Sequence, residues 1–307
     1  MAEGKRDWSQ GFTRPYYKVF PFVKENVGKL GWVALLKLLV VIFQYAINTV
    51  LRVAGQLGGY IIAMGITFGA IFLFAIMLAI GLSETAALIV VAFIITLVSL
   101  LFLLLLIALM VIIGGMIFGM EIYISRKILD IFGGGAINLD IMKAELKEQW
   151  KIYLDKGIRL YLLYTMFLLP ILLLPILIVI LVILIIILIL MLMDVMIAFI
   201  FSYVMMYFIS FIIIFFLIAA ILLINPFIIF ITDWTALKMA EGKGAWESFK
   251  EAVSYVWRKP KLMKHFWTGY FLITLASSFL TPLAMILSVA LPILTKLFLL
   301  INDEEYG

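Results

Sequence analysis

The sequence predicts an all-α, polytopic membrane protein. Three observations carry that prediction: apolar runs too long for a soluble helix, cations gathered into three short segments, and amphipathic stretches between the runs. The chain has 307 residues, 66% of them hydrophobic and 13% charged, with a mean hydropathy of +1.25. Soluble domains are roughly 45–50% apolar and about 25% charged, so a single water-facing core cannot absorb this much apolar surface. About six spanning helices are expected, with amphipathic helices on the cytoplasmic face and an internal pseudo-repeat.

The longest runs meet at one acidic residue. Between Leu160 and Ile231 the only charged side chain is Asp194. About 20 apolar residues cross the hydrocarbon of a bilayer at about 1.5 Å per residue, so Leu160–Met193 and Val195–Ile231 each suffice for one crossing. A charge at the bilayer centre costs a few kcal/mol, which places Asp194 at the turn of a hairpin.

Charge segregation sets the orientation. Of 23 Lys and Arg, six lie in residues 1–31, seven in 121–159 and seven in 232–265. The turns at Ser83–Thr85 and Asp194 carry only acidic charge. The positive-inside bias then places the three basic segments in the cytoplasm and both acidic turns outside. A cell-membrane, multi-pass protein with a cytoplasmic N-terminus is expected. The first 30 residues have no continuous apolar core, so the first hydrophobic segment is expected to act as the insertion signal. There is no Cys and a single histidine, His265, which excludes thiolate metal sites, disulfides, cysteine nucleophiles and multi-histidine metal sites.

The chain divides into a cytoplasmic tail with an amphipathic helix, 1–30, and one membrane domain, 31–307. Tyr16, Phe20, Val23, Val27 and Leu30 share a helical face, with a start near Thr13-Arg14-Pro15 and an interruption at Pro21. In residues 31–56, Lys37, Gln44, Asn48, Arg52 and Gln56 recur at helical spacing. That stripe fits an interfacial helix facing headgroups, a crossing helix whose stripe lines a polar cavity or pore, or a bent unit Trp32–Leu82 that crosses once. Hairpins follow at about 57–113, 160–231 and 266–301, the last being one tilted helix or a hairpin bent near Thr281-Pro282. Cytoplasmic amphipathic segments occupy 121–158 and 233–264.

Local motifs refine this frame. Gly65–Gly69 and Gly115–Gly119 are small-xxx-small pairs that let helix backbones approach in lipid. Gly133-Gly134-Gly135 stops a helix and lacks phosphate-loop spacing. Leu139, Met142, Leu146, Trp150 and Tyr153 form one amphipathic face. Trp246, Phe249, Val253, Val256 and Trp257 form another. Arg258, Lys259, Lys261, Lys264 and His265 cluster just before the last hydrophobic run, beside Trp257, and are candidate contacts for anionic headgroups.

Superposing Gly114–Leu129 on Asn225–Ala240 aligns two helix exits, each followed by glycines and an amphipathic helix. The stretch Lys238-Met239-Ala240-Glu241-Gly242-Lys243-Gly244-Ala245-Trp246-Glu247-Ser248-Phe249, followed by Val256-Trp257-Arg258-Lys259-Pro260, resembles the glycerophosphoryl diester phosphodiesterase membrane-domain family. The resemblance covers about residues 115–290 and implies a fold type only. The catalytic barrel of that family is absent, and no catalytic residue carries over.

The expected role is non-enzymatic: a scaffold, lipid-interacting or partner-anchoring module. Its expected partners are membrane lipids and a protein partner or a second copy, with no nucleic acid, cofactor or metal. The alternative is a transporter or channel using the 37–56 stripe. The polar residues Ser202, Tyr203, Ser210, Asn225, Ser277, Ser278 and Thr281 are sparse for a transport path. An intramembrane enzyme ranks last. Glu121 and Asp233 occupy corresponding helix exits, from which they can approach each other, but such exits more often hold interfacial ion pairs.

Overall fold

The computed structural model describes residues 8–191, 226–279 and 281–303, with the single positions 207, 211 and 224. The Asp194 turn, Ser202, Tyr203, Ser210 and Asn225 lie outside the described residues, as do the side chains of Ser277, Ser278 and Thr281. Every regular element among the described residues is a helix: α1 (Trp8–Glu25), α2 (Val27–Ala79), α3 (Glu84–Phe132) and α4 (Leu139–Met191). Then come α5 (226–240), α6 (Ala245–Arg258), α7 (Pro260–Phe279) and α8 (Thr281–Asn302).

Three of these helices are far longer than a bilayer is thick. α2 and α4 have 53 residues each and α3 has 49, or about 75–80 Å at 1.5 Å per residue. Residues 31–56 are therefore not a separate element. They continue into the apolar half of α2 as one helix. The stretch Val27–Val53 and helix α3 are long and apolar enough to cross a membrane, and Met64–Ala79 and Ile286–Asn302 are shorter apolar helices. The last hydrophobic run is two helices, α7 and α8, packed on each other. The three units expected to repeat are thus unequal in build.

Each turn has a local cause. Ser83 caps α3 by accepting a hydrogen bond from the Ala86 amide at 3.4 Å. The preceding Gly81 has φ +89°, a conformation open to glycine at no steric cost. Gly134, at φ +82°, ends α3 where the glycine run predicts a stop. Pro260 opens α7 at a position where its missing N–H has no helical partner to lose. α1 departs from expectation: it begins at Trp8 and runs through Pro21 to Glu25, so Val27 and Leu30 belong to α2. Its inward face is Tyr16, Val19, Phe22 and Val23, while Phe20 is exposed. Packing of α1 on α8 outweighs the helix-breaking tendency of proline here.

The packed core sits at one end of the long helices. Ile122, Tyr123, Ile124, Phe230, Trp234, Leu237, Leu262, Leu297 and Leu299 are its innermost side chains. Phe230 stacks on Trp234 at 6.3 Å and Tyr255 lies 4.3 Å from Trp234. Toward the 80–84 turn the picture reverses. Along α3, only Ala87 and Val91 are buried before Gly114, and Ile89, Phe93, Leu97, Leu101, Leu105 and Ile112 are exposed. An exposed apolar surface of this extent marks contact with lipid or protein.

Where α3 leaves the exposed region it packs tightly on α4. A Cβ added at Gly157 would meet the backbone of Gly115 and Gly119, and one at Gly119 would lie 2.5 Å from the Tyr153 carbonyl oxygen. The Gly115–Gly119 pair is thus a close helix contact. Gly65 and Gly69 have nothing within 4 Å of such a Cβ and make no comparable contact among the described residues. The far end of α5 is held by cations: Lys156 Nζ donates to the Met239 carbonyl at 3.1 Å and Arg126 to the Ala240 carbonyl at 3.4 Å. Both suit the negative end of a helix.

Candidate functional site

Four charged side chains from four helices meet where the exposed apolar region gives way to the core. On α2, Leu30, Val33, Lys37 and Val40 form one buried stripe, which carries the Lys37 ammonium inward. There it donates to Glu121 Oε1 of α3. Lys296 of α8 is fully buried between Ile293 and Leu297. Its Nζ lies 3.1 Å from Glu121 Oε2 and 3.1 Å from Asp233 Oδ1 of α5. Burying a charge costs several kcal/mol unless it is paired and hydrogen-bonded. Two cations against two carboxylates satisfy that condition for the cluster as a whole, with one atom left over. Asp233 Oδ2 is buried without a hydrogen-bond partner among the described residues.

Three of the four, Lys37, Glu121 and Asp233, line a cavity of about 380 Å³, a size typical of small-molecule sites. Its walls include Gln44 of α2, Phe118 of α3, Tyr164 of α4, Thr232 beside Asp233, Tyr270 of α7 and Ser288 of α8. Six helices contribute to it, and the residues span the chain from 37 to 292.

The polar stripe read from residues 37–56 divides in two. Lys37 and Gln44 line the cavity. Asn48, Arg52 and Gln56 are exposed on the part of α2 that stands clear of the core. Glu121 and Asp233 do approach each other, through Lys296 rather than directly. Lys296 is the residue that helical periodicity passes over. Its signal is a lone lysine in an otherwise apolar helix, the situation in which an ionisable group marks a polar site.

The basic cluster at the α6–α7 corner is also divided. Lys259 is tied to Asp303 Oδ1 at 2.8 Å and lies over the Tyr255 ring at 5.1 Å. The Arg258 Nε donates to Ser254 Oγ at 2.9 Å. Arg258, Lys261 and Lys264 are exposed, and His265 is half-buried. Burial first, and the charge of Lys264 second, hold the His265 pKa below its ordinary value.

Helix α6 turns its two tryptophans outward. The side it buries is Ser248, Ala252 and Tyr255. Trp246 is 50% exposed and Trp257 80% exposed, and Phe167 stacks on Phe249 at 4.4 Å. The amphipathic face expected at Trp246, Phe249, Val253, Val256 and Trp257 is thus divided: Phe249, Val253 and Val256 are half-buried, with Val256 against the core, and the two tryptophans are exposed. On the buried side Tyr255 lies 5.7 Å from Phe230 and 4.3 Å from Trp234.

Among the described residues no group of three or more His, Cys, Asp or Glu side chains could hold a metal ion. No protein-family model matches the sequence, and neither a curated protein nor a solved structure is similar to it. The comparisons show no glycerophosphoryl diester phosphodiesterase membrane domain here, and what stands is an all-α architecture among the described residues, with two helices long and apolar enough to cross a membrane.

Proposed function

We propose that this protein is a non-enzymatic, multi-pass membrane module that holds anionic lipid at its cytoplasmic face, as a scaffold or anchor. The observation that carries this reading is the outward-turned face of α6, with Trp246 and Trp257 exposed beside Arg258, Lys261 and Lys264. Tryptophan and cations favour the headgroup layer. The exposed apolar flanks of α2 and α3 supply the surface that the hydrocarbon would cover. In this arrangement the hairpins 57–113, 160–231 and 266–301 stand in the bilayer. Segments 121–158 and 233–264, and the N-terminus, lie in the cytoplasm.

The test is lipid selectivity of the full chain. Reconstitution in mixed phosphatidylglycerol and phosphatidylcholine nanodiscs, followed by native mass spectrometry, should show retained phosphatidylglycerol. Changing Arg258, Lys261 and Lys264 together to Gln should abolish the preference. An unchanged preference in that variant would refute the lipid reading.

A second reading, a solute path, is favoured by one observation: the cavity that opens beside Gln44 above a buried charge cluster. Flux of small ions and metabolites in proteoliposomes tests it, and impermeability to all of them would remove it.

A further inference from the structure

The charge cluster has a specific unused capacity. Glu121 spends one carboxylate oxygen on Lys37 and the other on Lys296. Lys296 is committed to Glu121 and to Asp233 Oδ1. What remains uncommitted in the cluster is one acceptor, Asp233 Oδ2, buried and without a donor among the described residues, on a residue that lines the cavity. A buried carboxylate oxygen left without a donor is costly, so the site favours whatever brings one.

We infer that the cavity is a binding site for a small organic ammonium group, which donates to Asp233 Oδ2 and sits among the rings of Phe118, Tyr164 and Tyr270. The chemistry excludes the other classes in turn. An anion would approach an unpaired carboxylate oxygen, while Lys37 of the lining and Lys296 of the cluster already have carboxylate partners. A divalent metal finds one uncommitted carboxylate oxygen and no supporting group of acidic or imidazole ligands among the described residues. The volume of about 380 Å³ exceeds what a bare monovalent ion fills and suits a cation on a short carbon body. Aromatic walls attract such a cation through their ring faces, and Leu287 and Leu291 of the cavity offer apolar surface to the body. The ammonium group has two sources, a free amine or the headgroup of an amine-bearing lipid. The inference rests on the cavity alone, independent of lipid binding at α6 and of solute passage.

The experiment uses the full chain in non-ionic detergent. Ethylammonium chloride, sodium chloride and sodium acetate are titrated at matched ionic strength, with tryptophan fluorescence and the thermal midpoint as readouts. Trp234, adjacent to Asp233 and buried, serves as the reporter. A parallel arm measures retention of phosphatidylethanolamine against phosphatidylglycerol in nanodiscs by native mass spectrometry. Saturable binding of ethylammonium, absent with sodium, supports a free amine. Selective retention of phosphatidylethanolamine without that response supports the lipid source. Asp233→Asn, which keeps the shape, should weaken either signal at least tenfold. Ser288→Phe, which narrows the cavity without touching the four charges, should do the same and decides the matter if the first variant fails to fold. An equal response to sodium, stronger binding of acetate, neither signal, or binding unchanged in Ser288→Phe would overturn the inference. Phosphatidylglycerol preference at α6 should be untouched by Ser288→Phe, so the two proposals fail separately.

Discussion

Replacing Lys296 with methionine removes the one side chain that touches both carboxylates of the buried cluster. The ammonium lies 3.1 Å from an oxygen of Glu121 and 3.1 Å from an oxygen of Asp233, and the whole residue is shielded from solvent. After the change Glu121 keeps Lys37. Asp233 loses its only ion-pair partner among the described residues and has both oxygens buried. Removing one partner of a buried pair costs about 3–5 kcal/mol, because the remaining charge stays desolvated. Lys296→Met should therefore lower unfolding free energy by about that amount, measured by denaturant titration of the full chain in mixed micelles. Adding Asp233→Asn removes the stranded charge and should recover most of the loss, since an uncharged replacement of a whole pair is close to neutral. If the single variant loses less than about 1 kcal/mol, the value of an exposed surface pair, the cluster is solvated and the reasoning fails.

Other perturbations test separate parts of the structure. Gly157→Leu places a side chain against backbone atoms of Gly115 and Gly119, which cannot rotate away, so α3 and α4 must separate. Overpacking of this kind costs about 1–3 kcal/mol, read as a lowered unfolding midpoint. Gly65→Ala and Gly69→Ala meet nothing within 4 Å and should leave that midpoint unchanged or slightly raised, and a marked loss would reveal a neighbour on this face. Trp257→Ala should weaken phosphatidylglycerol retention severalfold while leaving the midpoint within about 0.5 kcal/mol, as expected for an exposed side chain. For His265 the folded pKa lies below the unfolded value because burial and Lys264 oppose the charged form. The unfolded chain then binds the extra proton, so stability is complete above about pH 6.5 and falls as pH drops through that value. His265→Gln should reduce the difference in midpoint between pH 8 and pH 5.

Much of the architecture was legible because it follows from local physics. The glycine stop at 133–135, the inward face of Met142, Leu146 and Tyr153, and the close approach at Gly115–Gly119 all depend on residues within a turn or two. The site was legible only in part, because its four charges come from positions 37, 121, 233 and 296. Nothing in the spacing of Lys37, Gln44, Asn48, Arg52 and Gln56 tells where α2 leaves the packed core, and that level separates cavity from exposed surface. The orientation of α6 was hidden for a different reason. Its two faces compete, and the bulkier one is the natural choice for a core. Tyr255 packs on the rings of Phe230 and Trp234, and with it Ser248 and Ala252 form the buried side.

The order of the four charges along the chain bears on assembly. A chain made from its N-terminus presents Lys37 and Glu121 first, and these two can neutralise each other as soon as α2 and α3 pair. Asp233 arrives later and has no cation of its own until Lys296, later still in the chain, emerges. Until α8 docks, one carboxylate at a helix exit stands without compensation, and docking of α8 is the step that neutralises it.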